Sequence, residues 1–449
     1  MSRKIIGVTV GSPLPKPDLR QDDPTKGDYV KGKEAIPQKV SQLENDSGYL
    51  TEDAVVPIVP NASGNVVSVS DSAERPLKGL RLFGKTTQNG TPTPDAPIPL
   101  ETAGADGDVG VWLQGKNLFN LDAALNHIFY KDGDAYIGKF TVTGDRFSKN
   151  VPVFIPKGTR IRFGVDIIET TVSNPKYQLQ MQGFYENGGT FEISAGATRP
   201  LTDNVTKMNL YMYHTEINAY TKFKNVQLEF GDSATAYEPF KEPQTLTVNT
   251  PNGLHGIPVS SGGNYTDSNE QQWLCDEIDF SRGKYIQRVE TVVMDGVSKW
   301  GSTNSINGTQ NYAIVVSQFA MRNCASISSH FVYGTASKFG NTYNSDNRIR
   351  MFYSDDSLDT ADKWNAWFAE QYNNGTPVTV LVGRAEPIER DLTAEELEQY
   401  AALKTTFPNT TVTNDAGAGM ELTYIADTKN YIDKKIAQLS AAIVAAGAI

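Results

Sequence analysis

Residues 207–213 alternate in a way that could hold a sugar. On an extended strand Met208, Leu210 and Met212 point to one side, while Asn209, Tyr211 and Tyr213 point to the other. Three other runs repeat the pattern. Leu179 and Met181 would face inward with Gln178, Gln180 and Gln182 outward, and Val226 and Leu228 inward with Asn225, Gln227 and Glu229 outward. Arg160 and Arg162 are outward by the same count on the strand that holds Ile161 and Phe163. Rings that lie against the apolar C–H face of a pyranose, beside amide and guanidinium groups for its hydroxyls, make a glycan site. The predicted site is one face carrying Tyr211, Tyr213, Asn209, Gln180, Gln182, Arg162 and Gln227. The same residue types suit a face packed on a neighbouring subunit, or a solvated sheet face, and the residues alone leave these readings open.

Other chemistry is sparser. Asp106-Gly-Asp108 and Asp132-Gly-Asp134 could offer oxygens to Ca²⁺, but Asp-Gly pairs are ordinary turn chemistry and neither completes a calcium loop, so no cofactor is expected. The histidines (His127, His214, His255, His330) fall in no zinc-binding frame. Glu186, Glu192, Asp276, Glu277 and Asp279 could form the carboxylate pair of a glycosidase, yet any acidic chain of this size offers such pairs. With no nucleophile elbow, no phosphate-cradling lysine after Gly262-Gly263 and no Cys/His arrangement, the chain reads as non-enzymatic. Cys275 and Cys324 make no disulfide framework and no metal-ligand pattern; a single bridge between them stays open, and two reduced, partly buried thiols are the favoured reading.

The elements that must position these residues are mostly strands. Residues 12–56 are rich in proline and poor in apolar periodicity, and read as part of an extended arm over 1–56. Residues 57–104 hold two short strands and a run of alternating prolines, Gly90 to Pro99, that favours a semi-rigid polyproline spacer. From 105 to 243 short alternating strands separated by Gly, Asn and Pro turns predict a sandwich. A second β-rich zone over 244–424 contains two packing helices. One runs from about Leu358 to Tyr372 with Asp359 as its cap; the other starts at the capping box Thr393-Ala-Glu-Glu396. Over 425–449, Ile425, Ile432 and Leu439 recur every seven residues with Ile436 and Ile443 interleaved. This is a coiled-coil seam too short to stand alone, and Ile at both seam positions favours more than two strands, so a homotrimer is expected.

Several strings carry a resemblance. Pro17 to Val30 and Val40 to Thr51 resemble the N-terminal arm of bacteriophage tail-fibre proteins. Gly84 to Pro97 is similar to a linker in tail and minor structural proteins of phages and prophages of Gram-positive, Firmicutes-type hosts. Lys116-Asn-Leu-Phe-Asn120 and Val226 to Phe240 resemble the first and last strands of a carbohydrate-binding-module-like jelly roll in such proteins, and Pro251 to Pro258 and Trp273 to Lys284 extend the match. The resemblance implies a trimeric fibre or receptor-binding baseplate protein of the virion, made in the host cytoplasm and released by lysis. Its arm would dock on tail or baseplate proteins and its β domains would meet host cell-surface polysaccharide. The fold class expected is therefore mainly β: an extended arm, a jelly-roll β-sandwich, a second β-rich domain with packing helices, and a short C-terminal coiled-coil helix.

Charge and hydropathy agree with that expectation. A net charge of −11 over 449 residues is the wrong footprint for phosphate backbones, so nucleic acid is not an expected ligand. No apolar run approaches the ~20 residues of a membrane helix, and the start, from Met1 to Pro13, has too short an apolar run to predict Sec export. Three alternatives to a receptor-binding fibre remain: a structural baseplate or connector protein, a polysaccharide-degrading tail enzyme, and a bacterial adhesin built of the same modules.

Overall fold

A computed structural model of the chain describes residues 23, 25, 55–58, 66–70, 74–140, 146–173, 179–212, 217–297, 303–306, 310–316, 320–334, 341–345, 348–353, 358–406, 408–425 and 436. The chain forms two compact units, Met1–Ala54 and Val55–Ile449. In the first, Thr25 donates from N and Oγ1 to Asp23 Oδ1, an Asx turn that suits the Asp23-Pro24 punctuation. The rest of the predicted arm lies outside the described residues.

The second unit is mainly β, and its frame is a pair of facing antiparallel sheets. One has seven strands in the order Val55–Ile58, Gly419–Ile425, Gly79–Phe83, Glu277–Asp279, Lys284–Met294, Val378–Asp391 and Met321–Ser328. The other has four, ordered Gln244–Asn249, Asp108–Gly115, Asn409–Asn414 and Val66–Ser70. The alternation in Gly79–Phe83 shows why these residues make strands here. Leu80 and Leu82 point inward with Met420, Leu422 and Ile278, and meet Val109, Val111, Leu113, Val248 and Val412 from the four-stranded sheet. Each such side chain, fully buried, contributes about 1.5–3 kcal/mol. Arg81 between them points out and binds Glu277 Oε1 from Nε at 2.7 Å and Glu421 Oε2 from Nη1 at 2.8 Å.

The helix Ala394–Ala402 closes one side of this core with Leu397 and Tyr400. Its capping box is present: Thr393 Oγ1 accepts from Glu396 N at 3.2 Å and Glu396 Oε2 accepts from Thr393 N at 2.8 Å. The other helix, Ala361–Asn373, is capped by Thr360, whose side chain accepts from Lys363 N, and not by Asp359. Asp359 instead pairs with Lys363 Nζ at 2.7 Å. Trp364 and Phe368 on this helix are buried against Val292, Met294, Val378 and Val380.

Between Asp108–Gly115 and Gln244–Asn249 the chain leaves the frame and builds a separate sandwich. Its five-stranded sheet runs Thr198–Pro200, Arg160–Thr170, Tyr220–Phe230, Ala135–Lys139 and Phe129–Asp132. Its four-stranded sheet runs Thr190–Ser194, Gln180–Tyr185, Val205–Tyr211 and Val151–Ile155. Ile161, Phe163, Phe223, Val226 and Leu228 of the first meet Met181, Phe191, Ile193, Met208 and Leu210 of the second in one buried core. Trp112 of the frame stacks on Phe154 of the sandwich with ring centroids 4.1 Å apart.

This division corrects the boundary expected at 104/105. The strands of 66–83 and 108–115 belong to the same two sheets as those of 244–249, 277–294, 378–391 and 409–425, so the sandwich is an insertion in a discontinuous frame. The proline-rich run is likewise bound to the frame. Ile98 N donates to Ser329 O at 2.8 Å, and Gln88 Nε2 donates to Ile98 O at 2.8 Å and to Ser328 O at 3.0 Å. Ile425, expected as the first seam residue, ends the strand Gly419–Ile425 and pairs with Val55. Ile436 is helical and 58% exposed, and Ile432, Leu439 and Ile443 lie outside the described residues.

Candidate functional site

The predicted sugar-binding face is divided between the two sheets. Gln180, Gln182, Asn209 and Tyr211 do stand together on the outer face of the four-stranded sheet, with Gln180 opposite Tyr211 and Gln182 opposite Asn209. Arg162 and Gln227 lie on the five-stranded sheet, on the other side of the core. Tyr213 and His214 lie outside the described residues. The first group is also covered. Tyr211, Gln180 and Asn209 are buried, the Phe147 ring lies 5.4 Å from that of Tyr211, and Asn209 Nδ2 donates to Asn150 Oδ1 at 2.8 Å. Segment 146–150 extends the sheet beside Val205–Tyr211, with Phe147 opposite Tyr211, so its side chains close one flank of the tyrosine–amide row.

Arg162 and Gln227 instead line an open cleft of about 350 Å³ on the outer face of the five-stranded sheet, together with Asp166, Asn225, Glu229 and Tyr237. The ladder puts Arg162 opposite Glu229 and Gly164 opposite Gln227. Gly164 leaves the floor open, because a Cβ there would meet nothing closer than Gln227 O at 3.8 Å. A bulge between Gly164 and Asp166 interrupts the pairing, and Asn225 across from it takes the left-handed conformation with φ 54°. The extra residue lets Phe223 and Val226 both reach the core while Asn225 turns out to donate from Nδ2 to Asp166 Oδ2 at 2.7 Å.

The far wall is the segment after the last strand of the sandwich. Gln227 Oε1 accepts from Glu238 N at 2.8 Å, and the Glu229 carboxylate accepts from Thr235 N at 3.3 Å and from Thr235 Oγ1. These bonds hold Tyr237 at the rim, 45% exposed. Burial, with the Asp122 carboxylate nearby, raises the Tyr237 phenol, so its hydroxyl stays neutral and able to donate. Arg162 Nη1 donates to Gly196 O at 2.6 Å, while its Nε is buried with no hydrogen-bond partner among the described residues. The cleft therefore offers the Arg162 guanidinium, the Asp166 carboxylate, the Asn225 amide and an exposed ring, while the buried Gln227 and Glu229 are spent on holding its wall.

Sequence reading missed Asp166 and Tyr237 as lining groups, and placed Asn225 and Glu229 outward without counting them in the site. Tyr237 follows the last strand in a segment without periodicity, and Asp166 sits beyond a bulge that strict alternation does not foresee. The signal available was the Tyr-Glu-Pro of 237–239, which closes the string likened to a jelly-roll strand.

The remaining candidates take structural places. Gly107 and Gly133 have φ of 107° and 63°, so both Asp-Gly-Asp stretches are turns, and Asp132 pairs with Lys222 Nζ at 2.6 Å. Among the described residues no group of three or more His, Cys, Asp or Glu could hold a metal ion, and no helix is long and apolar enough to cross a membrane. Cys275 is a buried thiol, Cys324 a half-buried one, and burial raises both above the ordinary thiol range. Thr291 Oγ1, His255 and Asp276 form a relay, with Oγ1 3.0 Å from Nε2 and Nδ1 3.2 Å from Oδ2. Asp276 Oδ1 also accepts from Arg288 N at 2.7 Å and Val289 N at 2.8 Å, so the carboxylate ties the 287–289 bulge to the adjoining strand.

Comparison with family models, with curated proteins and with solved structures returns no match to this chain.

Proposed function

We propose that this chain is a phage tail-fibre or receptor-binding baseplate protein whose inserted sandwich, a jelly roll of the carbohydrate-binding kind, attaches the virion to host cell-surface glycan. The observation that carries the reading is the open cleft on the five-stranded sheet. There Arg162, Asp166 and Asn225 offer hydroxyl-binding groups beside the exposed Tyr237 ring, over a floor left clear by Gly164. A monosaccharide-sized site of this kind binds weakly alone. Presentation in three copies through a C-terminal coiled coil, and in many fibres per particle, converts weak contacts into firm attachment. The N-terminal arm serves as the tail-docking end, and the chain acts by binding without catalysis.

The test uses the full chain, fluorescently labelled, on a panel of Gram-positive cells before and after their wall polysaccharide is stripped. Binding that disappears on stripping, and that a Gly164→Phe substitution abolishes, is the expected result. No binding in either state would instead favour the structural baseplate or connector role. Retained binding by Gly164→Phe would move the site elsewhere on the molecule.

A further inference from the structure

The sandwich leaves the frame at Lys116 and returns to it near Glu238, and at this junction the two side chains meet a third, Asn409. Lys116 follows the strand Asp108–Gly115, and Thr410 stands opposite Gly115, so Asn409 sits beside Lys116 across the ladder. Lys116 Nζ lies 2.7 Å from Glu238 Oε1, and Asn409 Nδ2 donates to that same oxygen at 2.5 Å. The amine and the carboxamide are thus both one hydrogen bond from a single carboxylate oxygen.

The carboxylate is fixed in place. Glu238 N donates to Gln227 Oε1 at 2.8 Å, and its carbonyl accepts from Asn117 Nδ2 at 3.2 Å. Lys116 Nζ also donates to Ala236 O at 2.6 Å, which holds the long side chain in one rotamer. The site is shielded, with side-chain exposures of 18% for Lys116 and 13% for Glu238, beside the buried Thr410 and Thr406.

We infer that Lys116 and Asn409 are built to join in an intramolecular isopeptide bond, with Glu238 as the proton carrier. An amine, a carboxamide and a carboxylate held together out of bulk water are the complete set of reactants and catalyst for that step. A proton passes from the Lys116 ammonium to the Glu238 carboxylate, and the free Nζ pair attacks Asn409 Cγ to form the new C–N bond. Glu238 then gives its proton to Asn409 Nδ2 as the Cγ–Nδ2 bond breaks. Ammonia leaves, and the surplus proton on Nζ returns through Glu238 to the departing ammonia. One amide replaces another, nothing is oxidised or reduced, and no co-reactant is needed. The product is a strap across the neck of the sandwich that ties the strand leaving the frame to a strand almost at its C-terminal end.

Intact mass of the full chain under denaturing conditions decides the matter. The expected mass is lighter than the sequence mass by one molecule of ammonia, and protease digestion should release a branched peptide joining Lys116 to Asn409. Glu238→Ala and Lys116→Arg should each restore the unmodified mass, while Asn409→Asp should lose water in place of ammonia. A wild-type chain at its full sequence mass, with Lys116 and Asn409 recovered in separate unmodified peptides, would show an ion pair and nothing more. That measurement needs no variant to fold.

Discussion

The hydroxyl of Tyr211 donates to Oε1 of Gln180, its directly opposite neighbour in the ladder between Gln180–Tyr185 and Val205–Tyr211. Both residues point away from the sandwich core yet are buried, with the Phe147 ring beside that of Tyr211 on the same face. Tyr211→Phe keeps the ring and removes the bond, which costs about 1 kcal/mol. For a domain of this size that lowers Tm by roughly 2–4 °C. Thermal melts should show that shift while cell binding is unchanged. Lost binding at an unchanged Tm would return the tyrosine–amide row to the role of ligand site.

The cleft on the opposite sheet should behave the other way round. Gly164→Phe fills a floor with room for a side chain, so stability should move by less than about 1 kcal/mol while binding disappears. Tyr237→Ala removes a rim ring worth about 0.5–1.5 kcal/mol to a stacked ligand, a loss of up to about tenfold in affinity by titration. A destabilised Tyr237→Ala chain with full affinity would mean that the ring serves packing alone.

Glu396 carries more than its cap. Oε2 accepts from Thr393 N at 2.8 Å, and Oε1 accepts from Asn249 N at 3.0 Å on the neighbouring strand. Thr393→Ala should cost about 1 kcal/mol, as cap losses do. Glu396→Ala should cost about twice as much, because it strips two backbone amides at a buried position. Denaturant midpoints of the two variants give the comparison, and equal losses would count against the second contact.

Asp415 gives the frame a pH response. Burial, opposed by the hydrogen bond from Gly110 N and reinforced by the Asp108 and Glu186 carboxylates, raises its carboxyl to about 6. A folded value above the unfolded one means that the native state holds its proton more tightly. The stabilisation is complete below pH about 4 and is lost as pH rises through about 6. Asp415→Asn should flatten that part of the stability profile and leave the variant more stable than the parent at neutral pH. A profile unchanged by the substitution would place the response elsewhere.

The C-terminal seam can be tested at its described member. Ile436 is helical and 58% exposed in the single chain. If the helix clamps three copies, Ile436→Asp should shift sedimentation towards the monomer or misregister the assembly. A variant that sediments as the parent does would leave the helix another task.

What could be read from the sequence followed the range of the interactions involved. The capping box at Thr393 and Glu396 is complete within four residues, and the inward set Met208 and Leu210 needs only strict alternation. Arg162 and Gln227 were likewise found by counting along single strands. Which sheet each strand joins is decided elsewhere. Val66–Ser70 pairs with Asn409–Asn414, and Gly79–Phe83 lies between Gly419–Ile425 and Glu277–Asp279, partners that no local pattern names. The bulge at Asn225 breaks the count that would otherwise have put Phe223 outside. The cap fell to Thr360 rather than Asp359 because both are competent types, and the extended backbone at Thr360, with φ −131° and ψ 158°, decides between them.

The first and last strands of the frame share a rung, Val55 opposite Ile425. A tether pulling at residue 55 and an anchor holding residue 425 would load that edge pair end-on. Its hydrogen bonds would then open one at a time, like a zipper, instead of resisting together in shear. Traction of that kind would peel the outermost strand first and spare the sandwich, which lies off the line of force. The frame would thus yield at its margin, at modest tension and reversibly, before anything held by the inserted domain was disturbed.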